Sequence, residues 1–464
     1  MRTRVVDAAA FMAVSLSLVA GSARATPQAA TFTSQPYPFL GNTHIAADLN
    51  HDGKPDLVGN GAAVDVMLNT GNGAFAPIVP YPVAGASQDV AAADFNSDGH
   101  IDLAVTINTA PISLSLLMGN GNGTFIPSID LPSTTGADSP CVIATDLNND
   151  NKPDLVISHE LACFAPPCVA SQKLSVLRGN GNGTFQTLPD ITVGTGMHRL
   201  TDGDFNRDGV KDLAICGDNT RLYILLGVPP GNGTFAQQPT IFLVPGGDLF
   251  SASGDVDVAD FNGDEIQDLT VALPGNGRGT AIVIGNGDGT FQPAFRILEN
   301  ASYAPQSLAV ADYNRDGFPD IARAMGDGTN GLFEILHGNG NATFQPAVHY
   351  LVPPPLSSIG GGVLASGDFN SDSKPDLALA VFGASPSLRV VFNTTNANLC
   401  PADIVSTGAS ANRVDVNDLL AVITQWGPCP APPAACPANI ATTGSSSVDV
   451  NDLLAVITTW GPCP

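Results

Sequence analysis

The chain has little charge, few aromatic residues and hardly any long apolar run, and each shortage argues against a class of protein. Of its 464 residues, 13% are charged and 6% aromatic, and 18 Lys plus Arg face 43 Asp plus Glu. The formal net charge of −25 argues against binding to nucleic acid or to anionic membranes, because both require basic side chains that neutralise phosphate. Beyond the N-terminus, no apolar run is long enough to cross a bilayer as a helix, so we expect no transmembrane segment in the mature chain.

The N-terminus has the pattern of a secretory signal. Arg2 and Arg4 precede an apolar run, 11–20, and Ala23-Arg24-Ala25 gives a small-x-small cleavage site. We therefore expect residues 1–25 to be a signal peptide and the protein to be secreted or displayed at the cell surface. An uncleaved anchor is the alternative, although the run is short for a membrane span.

The abundant residues are those of turns and of apolar cores. The chain is 44% hydrophobic with 49 Gly and 37 Pro, which favours an all-β protein rich in turns. Its eight Cys are expected to pair if the chain is exported. The spacing suggests bonds between Cys400 and Cys429 and between Cys436 and Cys463. Cys163 and Cys168 could close a small ring, and two cysteines in apolar runs read as buried thiols, namely Cys141 and Cys216.

One pattern, D-x-N-x-D-x-x-x-D, occurs seven times. The copies are separated by 46, 52, 58, 56, 52 and 56 residues, which suits one four-stranded propeller blade each. The second position is always Leu, Phe or Tyr and is expected to point inward. An apolar run follows each copy, such as "DLAVTI" after Ile101, and predicts a buried strand.

The spacing in each copy suits a calcium loop. Side chains at positions one, three, five and nine and the carbonyl at position seven would converge hard oxygens, and Ca²⁺ takes about six to eight of them. We predict about seven Ca²⁺, one per blade. The candidate ligands are Asp48, Asn50, Asp52, Lys54, Asp56, Asp94, Asn96, Asp98, His100, Asp102, Asp146, Asn148, Asp150, Lys152, Asp154, Asp204, Asn206, Asp208, Val210, Asp212, Asp260, Asn262, Asp264, Ile266, Asp268, Asp312, Asn314, Asp316, Phe318, Asp320, Asp368, Asn370, Asp372, Lys374 and Asp376.

Position six must turn sharply, and it is Gly in four copies and Asn151 in another. Glu265 and Ser373 depart from this pattern, which predicts weaker binding in loops five and seven. The EF-hand is excluded because position twelve is never acidic. Three Asp in each of seven loops make 21 of the 43 acidic residues, and seven Ca²⁺ would bring the charge from −25 to −11.

A second element, a Gly/Asn turn that runs into Phe, occurs six times. Extended, Pro-containing segments follow it, so it predicts a hairpin turn rather than a phosphate-binding loop. Each blade is then an inner strand, the Asp loop, a second and a third strand, the turn and an outer strand. The seventh blade lacks the turn and the Phe, and "TFTSQPYPF" near the N-terminus predicts that the two ends of the chain pair to close the ring. The turns end at Phe75, Phe125, Phe185, Phe235, Phe291 and Phe344.

On these two elements the chain resembles the FG-GAP and VCBS repeat proteins, whose propeller is similar to that of integrin α-subunits. The resemblance covers about residues 30–396. It implies a seven-bladed propeller over residues 26–396, with Ca²⁺ bound between the first two strands of a blade and partners docked on the rim or a face.

The last segment, 397–464, contains a different sequence repeat. Two copies of "VDVNDLLAVIT" each predict a short helix, with apolar residues mostly on one side. The tandem resembles type I dockerin repeats, which bind calcium and cohesin modules. Aligning Asp418 and Asp452 with the last ligand leaves the early ligand positions without acids, and Asp415 and Asp449 alone cannot make a strong site. Calcium and cohesin binding by this tandem are therefore doubtful. The positions lacking an acid are Thr407, Ala409, Ala411, Ala441, Thr443 and Ser445.

The favoured function is a non-catalytic binding or adhesion module for an extracellular protein or polysaccharide. The alternative is an extracellular polysaccharide lyase on a calcium propeller, which would need a base and a cation near an acidic sugar. The seven His are scattered, and His198-Arg199 is the close His-Arg pair outside the signal. A purely structural envelope component is a third possibility.

Overall fold

The computed structural model describes most of the repeat region. The described residues are 30–38, 41–107, 113–132, 138–160, 173–194, 199–217, 220–244, 254–274, 279–298, 304–326, 331–351, 364–381 and 387–395, with four short strands nearer the C-terminus. The chain divides into two units. One is Ala29–Asn396, and the other comprises Met1–Gln28 and Ala397–Pro464.

The larger unit is a β-propeller of seven four-stranded antiparallel sheets, as the seven Asp loops predict. In every blade the loop joins the inner strand to the second strand. From inner to outer, the strands of blades 1 to 3 are Asn42–Ala47, Asp56–Asn60, Val64–Met67 and Val79–Tyr81; Ser87–Ala93, Asp102–Ile107, Ser113–Leu117 and Ile129–Pro132; and Asp138–Thr145, Asp154–Glu160, Lys173–Gly179 and the split outer strand Phe185–Thr187 with Ile191–Thr192.

Blades 4 to 7 repeat this order. Their strands are Leu200–Gly203, Asp212–Gly217, Arg221–Gly227 and the split outer strand Phe235–Gln237 with Ile241–Phe242; Val256–Ala259, Asp268–Leu273, Gly279–Val283 and Phe295–Leu298; Ala304–Ala311, Asp320–Gly326, Gly331–Leu336 and Val348–Leu351; and Leu364–Gly367, Asp376–Val381, Ser387–Asn393 and Phe32–Pro38. In the turn of blade 1, two shorter strands pair, Asn69–Gly71 and Ala74–Phe75.

The inner strands form a closed ring. Each contacts the inner strands of both neighbouring blades, and the strand of blade 1 contacts that of blade 7. Apolar packing between blades holds the ring together. Seven buried clusters lie one at each blade boundary, and the loop residues at position two are all buried within them. The second strands are buried along their length rather than at alternate residues, as in Asp102–Ile107 and Asp212–Gly217, because a neighbouring sheet covers each of their faces.

The two ends of the propeller pair as the sequence predicts. Phe32–Pro38 lies antiparallel to the third strand of blade 7, with Phe32 opposite Asn393 and Pro38 opposite Ser387. The Phe32 ring also packs edge-on against Phe333 and Tyr350 of blade 6. The outer strand of the last blade is therefore supplied by the start of the chain, and the sheet is completed by residues from both ends.

In the second unit, two strand pairs join the two copies of the C-terminal tandem. Arg413–Val414 pairs with Gly461–Pro462, and Gly427–Pro428 pairs with Ser447–Val448, each antiparallel. Residues at the beginning of the repeated VDVNDLLAVIT segment of each copy therefore pair with residues near the end of the other copy. The predicted short helices and the cysteines predicted to pair lie outside the described residues, as does the signal segment.

Two further expectations can be compared with the structure. Cys141 and Cys216 are buried and free, which confirms that they are buried thiols. Where the chain is described, no helix has the length and apolar character needed to span a membrane.

Candidate functional site

The seven Asp loops share one backbone conformation. Position six has a positive φ in every loop, as the sequence predicts, even where it is Glu265 (63°) or Ser373 (62°). Position four is also left-handed in every loop, with His51 at 59° and Arg207 at 60°, which was not predicted from the sequence. A left-handed non-Gly residue is strained, so the bonds inside the loop must hold it there.

The bonds inside each loop draw the oxygens of positions one, three and five together. In loop 1, the Asp52 amide donates to Asp48 Oδ1 at 3.0 Å and to Asn50 Oδ1 at 3.1 Å. Gly53 N donates to Asp48 Oδ2, and Lys54 N donates to Asp52 Oδ1. The other six loops repeat these bonds. Since two side-chain oxygens converge on one amide, the predicted early ligands lie beside one another.

The Asp at position nine has a structural role that the sequence did not reveal. In loop 1, Asp56 Oδ2 accepts from Leu49 N at 2.9 Å, and Asp56 Oδ1 accepts from Asn69 N at 2.7 Å. Asp56 is fully buried. This carboxylate therefore ties the start of its loop to the beginning of the Gly/Asn turn in the same blade. The other six loops have the same pair of bonds, at Asp102, Asp154, Asp212, Asp268, Asp320 and Asp376.

Burial makes these carboxylates hard to ionise. It raises the pKa of Asp56, Asp212 and Asp268 to about 6, and that of Asp376 to about 7, although the backbone bonds act in the opposite direction. The Asp residues at positions one and five of the same loop raise the pKa further. Three carboxylates in each of these loops are thus close enough to repel one another.

This donor set fits a hard divalent cation. A carboxylate has about four lone-pair sites, so an Asp at position nine that accepts two amide bonds can still bind a metal. Among the described residues, however, no three His, Cys, Asp or Glu side chains form a ready-made metal cluster. In loop 1 the Lys54 ammonium lies 2.7 Å from Asp52 Oδ2, and in loop 7 Lys374 lies 3.0 Å from Asp372 Oδ2. In loop 3 the Lys152 ammonium lies farther away, 3.9 Å from Asp150 Oδ2. In these three loops a lysine already supplies a positive charge.

The Gly/Asn turn lies on the loop of the preceding blade, a role not foreseen from the sequence. Gly183 N of blade 3 donates to the Phe95 carbonyl of loop 2 at 2.9 Å, and the Phe95 and Phe185 rings lie 5.6 Å apart. In blade 7, which lacks the turn, Asn393 Nδ2 donates instead to the Tyr313 carbonyl of loop 6. The repeated Phe therefore packs against the neighbouring loop. Equivalent hydrogen bonds join Gly123 to Leu49, Gly289 to Phe205, Ala342 to Phe261 and the Asn69 side chain to Phe369.

Two other features could contact a ligand. A pocket of about 260 Å³ lies between blades 4 and 5, and its lining includes the apolar residues Ile241 and Phe291 and the polar residues Gln238 and Thr240. Of the His-Arg pair considered for lyase chemistry, His198 lies outside the described residues. Arg199 is engaged with Asp89, 3.2 Å away, and with the Cys141 sulfur.

Comparison with known proteins identifies the repeats. Residues 48–105, 94–157, 204–271 and 260–323 match the FG-GAP-like repeat, and each match starts at the first Asp of one loop and extends past the next. The chain therefore carries four FG-GAP-like repeats within a seven-bladed propeller. No curated protein is significantly similar in sequence.

Two solved structures are similar to parts of the chain. One is a lectin of Agrocybe aegerita described as recognising non-reducing terminal N-acetylglucosamine, at 19% identity and a TM-score of 0.48, over 79% of this chain and 87% of the lectin. The other is a Photorhabdus luminescens Tc holotoxin pore, at 16% identity and a TM-score of 0.40, over 78% of this chain and 14% of the toxin chain.

Proposed function

We propose that this protein is a secreted, calcium-loaded propeller that acts as a non-catalytic binding module for an extracellular protein or polysaccharide. The observation that carries the proposal is the geometry repeated in all seven Asp loops, where side-chain oxygens converge beside a buried carboxylate. Every loop joins an inner strand to a second strand, so all seven open on the same face of the propeller.

Calcium would have a specific task in this architecture. Each loop holds carboxylates that repel one another, and each lies beneath the Gly/Asn turn of the next blade or its substitute. A bound Ca²⁺ would cancel the repulsion and stiffen the contact between neighbouring blades. The loops with a nearby lysine or a non-Gly residue at the left-handed position six, which are loops 1, 3, 5 and 7, should bind Ca²⁺ more weakly than loops 2 and 4.

Calorimetric titration of the mature chain, 26–464, with Ca²⁺ tests the metal. We expect about seven sites in at least two affinity classes, and a total of one or two sites would contradict the proposal. The variant Asp94→Asn with Asp98→Asn should lose one of the tight sites. The same double change in loop 7, at Asp368 and Asp372, should remove one of the weak sites instead, which makes it the matched control.

Binding is tested separately, with purified mature protein on glycan and protein arrays in Ca²⁺ and in chelator. Ligands retained only in Ca²⁺ support a binding module whose recognition surface depends on the loops. The variant Gln238→Ala tests whether the pocket between blades 4 and 5 binds the ligand. Ile129→Ala, at an exposed position of blade 2, is the control. Release of unsaturated uronic acid products from acidic polysaccharides would instead favour the lyase.

Secretion is tested by N-terminal sequencing of exported protein, which should begin at Thr26.

A further inference from the structure

The repeat places position four of one loop beside position seven of the next. A Cβ added at Gly181 in blade 3 would lie 3.0 Å from the Lys152 side chain, at position seven of loop 3, and 3.1 Å from Ser97 Oγ, at position four of loop 2. Blades 4 and 5 repeat the arrangement with Arg207 and Ile266, both close to Gly287. At both of these boundaries the two side chains therefore lie over the same glycine of the Gly/Asn turn.

At the boundary of blades 1 and 2, both of these positions are histidine. His51 is position four of loop 1, and His100 is position seven of loop 2. His51 Nε2 lies 3.4 Å from His100 Nδ1, and the ring centroids are 5.5 Å apart with the planes tilted by 45°. His51 is exposed and His100 is half-buried, so solvent reaches the pair.

The distance between the two nitrogens fits two ligands on one metal ion better than it fits a strong hydrogen bond. Good hydrogen bonds from a nitrogen donor are about 2.7 to 3.2 Å long, so 3.4 Å is too long for a strong one. Two imidazoles on a tetrahedral zinc ion, each about 2.0 to 2.1 Å from the metal, have their nitrogens about 3.3 to 3.4 Å apart. The observed separation matches that expected for two ligands on one ion.

The backbone holds both rings in place. A Cβ at Gly121 would lie 2.3 Å from His100 Nδ1, so the imidazole rests directly on the glycine of its own turn. Gly121 has a positive φ of 73°. His51 is carried by the left-handed backbone of loop 1, at a φ of 59°. Because each ring is carried by a hydrogen-bonded loop, little ordering should be needed for the nitrogens to bind an ion.

We propose that His51 and His100 form a binding site for a divalent transition-metal ion, such as Zn²⁺, that bridges blades 1 and 2. Neutral imidazole suits Zn²⁺, Cu²⁺ and Ni²⁺, whereas the oxygen donors of the Asp loops suit Ca²⁺. The ion would take the His51 Nε2 and His100 Nδ1 lone pairs and keep water at its remaining positions. Those positions stay open to a ligand from outside the chain, at the face on which the Asp loops open.

Zinc titration of the mature chain in saturating Ca²⁺ tests the site. We expect one zinc ion that is lost, with at least a tenfold fall in affinity, in both His51→Gln and His100→Gln. The control is His349→Gln in blade 6, where the histidine is also exposed. With Cu²⁺ as the probe, electron paramagnetic resonance should show two coupled nitrogens in the wild type and fewer in either variant. Unchanged zinc affinity in both variants would overturn the proposal.

A transplant tests the geometry directly. Ser97→His combined with Lys152→His places the same pair at the boundary of blades 2 and 3, and the stoichiometry should rise by one zinc ion. Failure to gain an ion would mean that the repeat geometry does not build the site. Repeating the titration in chelex-treated, Ca²⁺-free buffer separates this proposal from the calcium one, because the histidine ligands do not depend on the Asp loops being filled.

Discussion

The backbone of Phe32 pairs with that of Asn393, so residues near the two ends of the propeller close its last sheet. Three further contacts fix this junction. Ala30 N donates to His337 Nε2, its carbonyl accepts from the Tyr350 hydroxyl, and Thr31 N donates to Thr395 Oγ1 at 2.8 Å. The first strand is therefore held by both blade 6 and blade 7.

Removing residues 30–39 should expose the edge of the third strand in blade 7 and promote aggregation. A point variant gives a finer test. Phe32→Ala removes ring contacts to blade 6 and should lower the free energy of unfolding by about 2 to 3 kcal/mol, less than for a fully buried Phe. Thr33→Ala, exposed on the same strand, should change it by less than about 0.5 kcal/mol. Thermal melts and size-exclusion chromatography measure both; a monomeric deletion variant with an unchanged melting point would count against closure by this strand.

Substitution should distinguish the buried Asp at position nine of a loop from the exposed Asp at position five. In Ca²⁺-free buffer, Asp212→Ala leaves the buried amides of Phe205 and Gly227 without acceptors, which should cost about 2 to 4 kcal/mol. Asp208→Ala removes an exposed carboxylate that accepts one bond from the Val210 amide, together with one source of repulsion, so stability without calcium should change much less than in Asp212→Ala. Both variants should lose the calcium-dependent gain of one loop. Chemical denaturation with and without Ca²⁺ distinguishes them, and equal losses in Ca²⁺-free buffer would refute the structural role of position nine.

Most of the architecture could be predicted from the sequence, because a motif repeated at blade spacing reports both the loop and the strands beside it. The position-nine Asp could not be assigned in full, since its second hydrogen bond reaches Asn69, thirteen residues beyond Asp56. The spacing of residues within the loop therefore does not predict the hydrogen bond to Asn69. The left-handed conformation at position four could not be predicted from the sequence either. Its occupants include Arg207 and Arg315, which have no preference for that conformation and adopt it because the loop bonds impose it.

A glycine at position six of loop 5 should increase both the stability of the protein and the calcium affinity of the loop. Glu265 holds a φ of 63° where four other loops have Gly, and a Cβ in the equivalent positions would meet nothing within 4 Å, so the cost is one of backbone strain. Glu265→Gly should therefore stabilise the protein by about 1 kcal/mol and raise the calcium affinity of this loop. The reciprocal change, Gly209→Glu in loop 4, should destabilise by a similar amount. A lower melting point for Glu265→Gly would show that Glu265 makes a contribution that outweighs the strain.

The stability of the calcium-free protein should fall as the pH rises, whereas the stabilisation gained by adding Ca²⁺ should grow. The folded-state pKa of Asp56 is about 6 and that of Asp376 about 7, against an ordinary value of 3.8. The folded chain thus holds these protons more tightly than the unfolded chain, and their stabilising effect is full below about pH 4 and lost as the pH rises through 6 to 7. The Ca²⁺-free melting point should fall between about pH 5 and about pH 8. Because Ca²⁺ binds the ionised carboxylates, the gain from adding Ca²⁺ should grow over the same range. Resin-treated buffers suit this measurement better than a chelator whose affinity changes with pH, and a Ca²⁺-free melting point that rises over this window would contradict the assignment.

The C-terminal tandem should fold as one unit that needs both copies and its disulfides but no calcium. The beginning of the VDVNDLLAVIT segment in each copy pairs with residues near the end of the other copy, through Val414 opposite Gly461 and Gly427 opposite Val448. Neither copy can complete these pairs alone. The predicted bonds Cys400–Cys429 and Cys436–Cys463 close loops of about 27 to 29 residues, each stabilising by about 3 to 4 kcal/mol in the chain-entropy model.

Reduction should then unfold both copies together, while removal of Ca²⁺ should leave them unchanged, because the positions aligned with the early metal ligands lack acids. Limited proteolysis of the full chain measures this: reductant should open cleavage sites throughout residues 400–464, and the single variant Cys463→Ser should expose the first copy as well as the second. If Ca²⁺ protects the segment and reductant does not open it, the alignment of the loops is wrong, and the dockerin resemblance, with its cohesin partner, gains support.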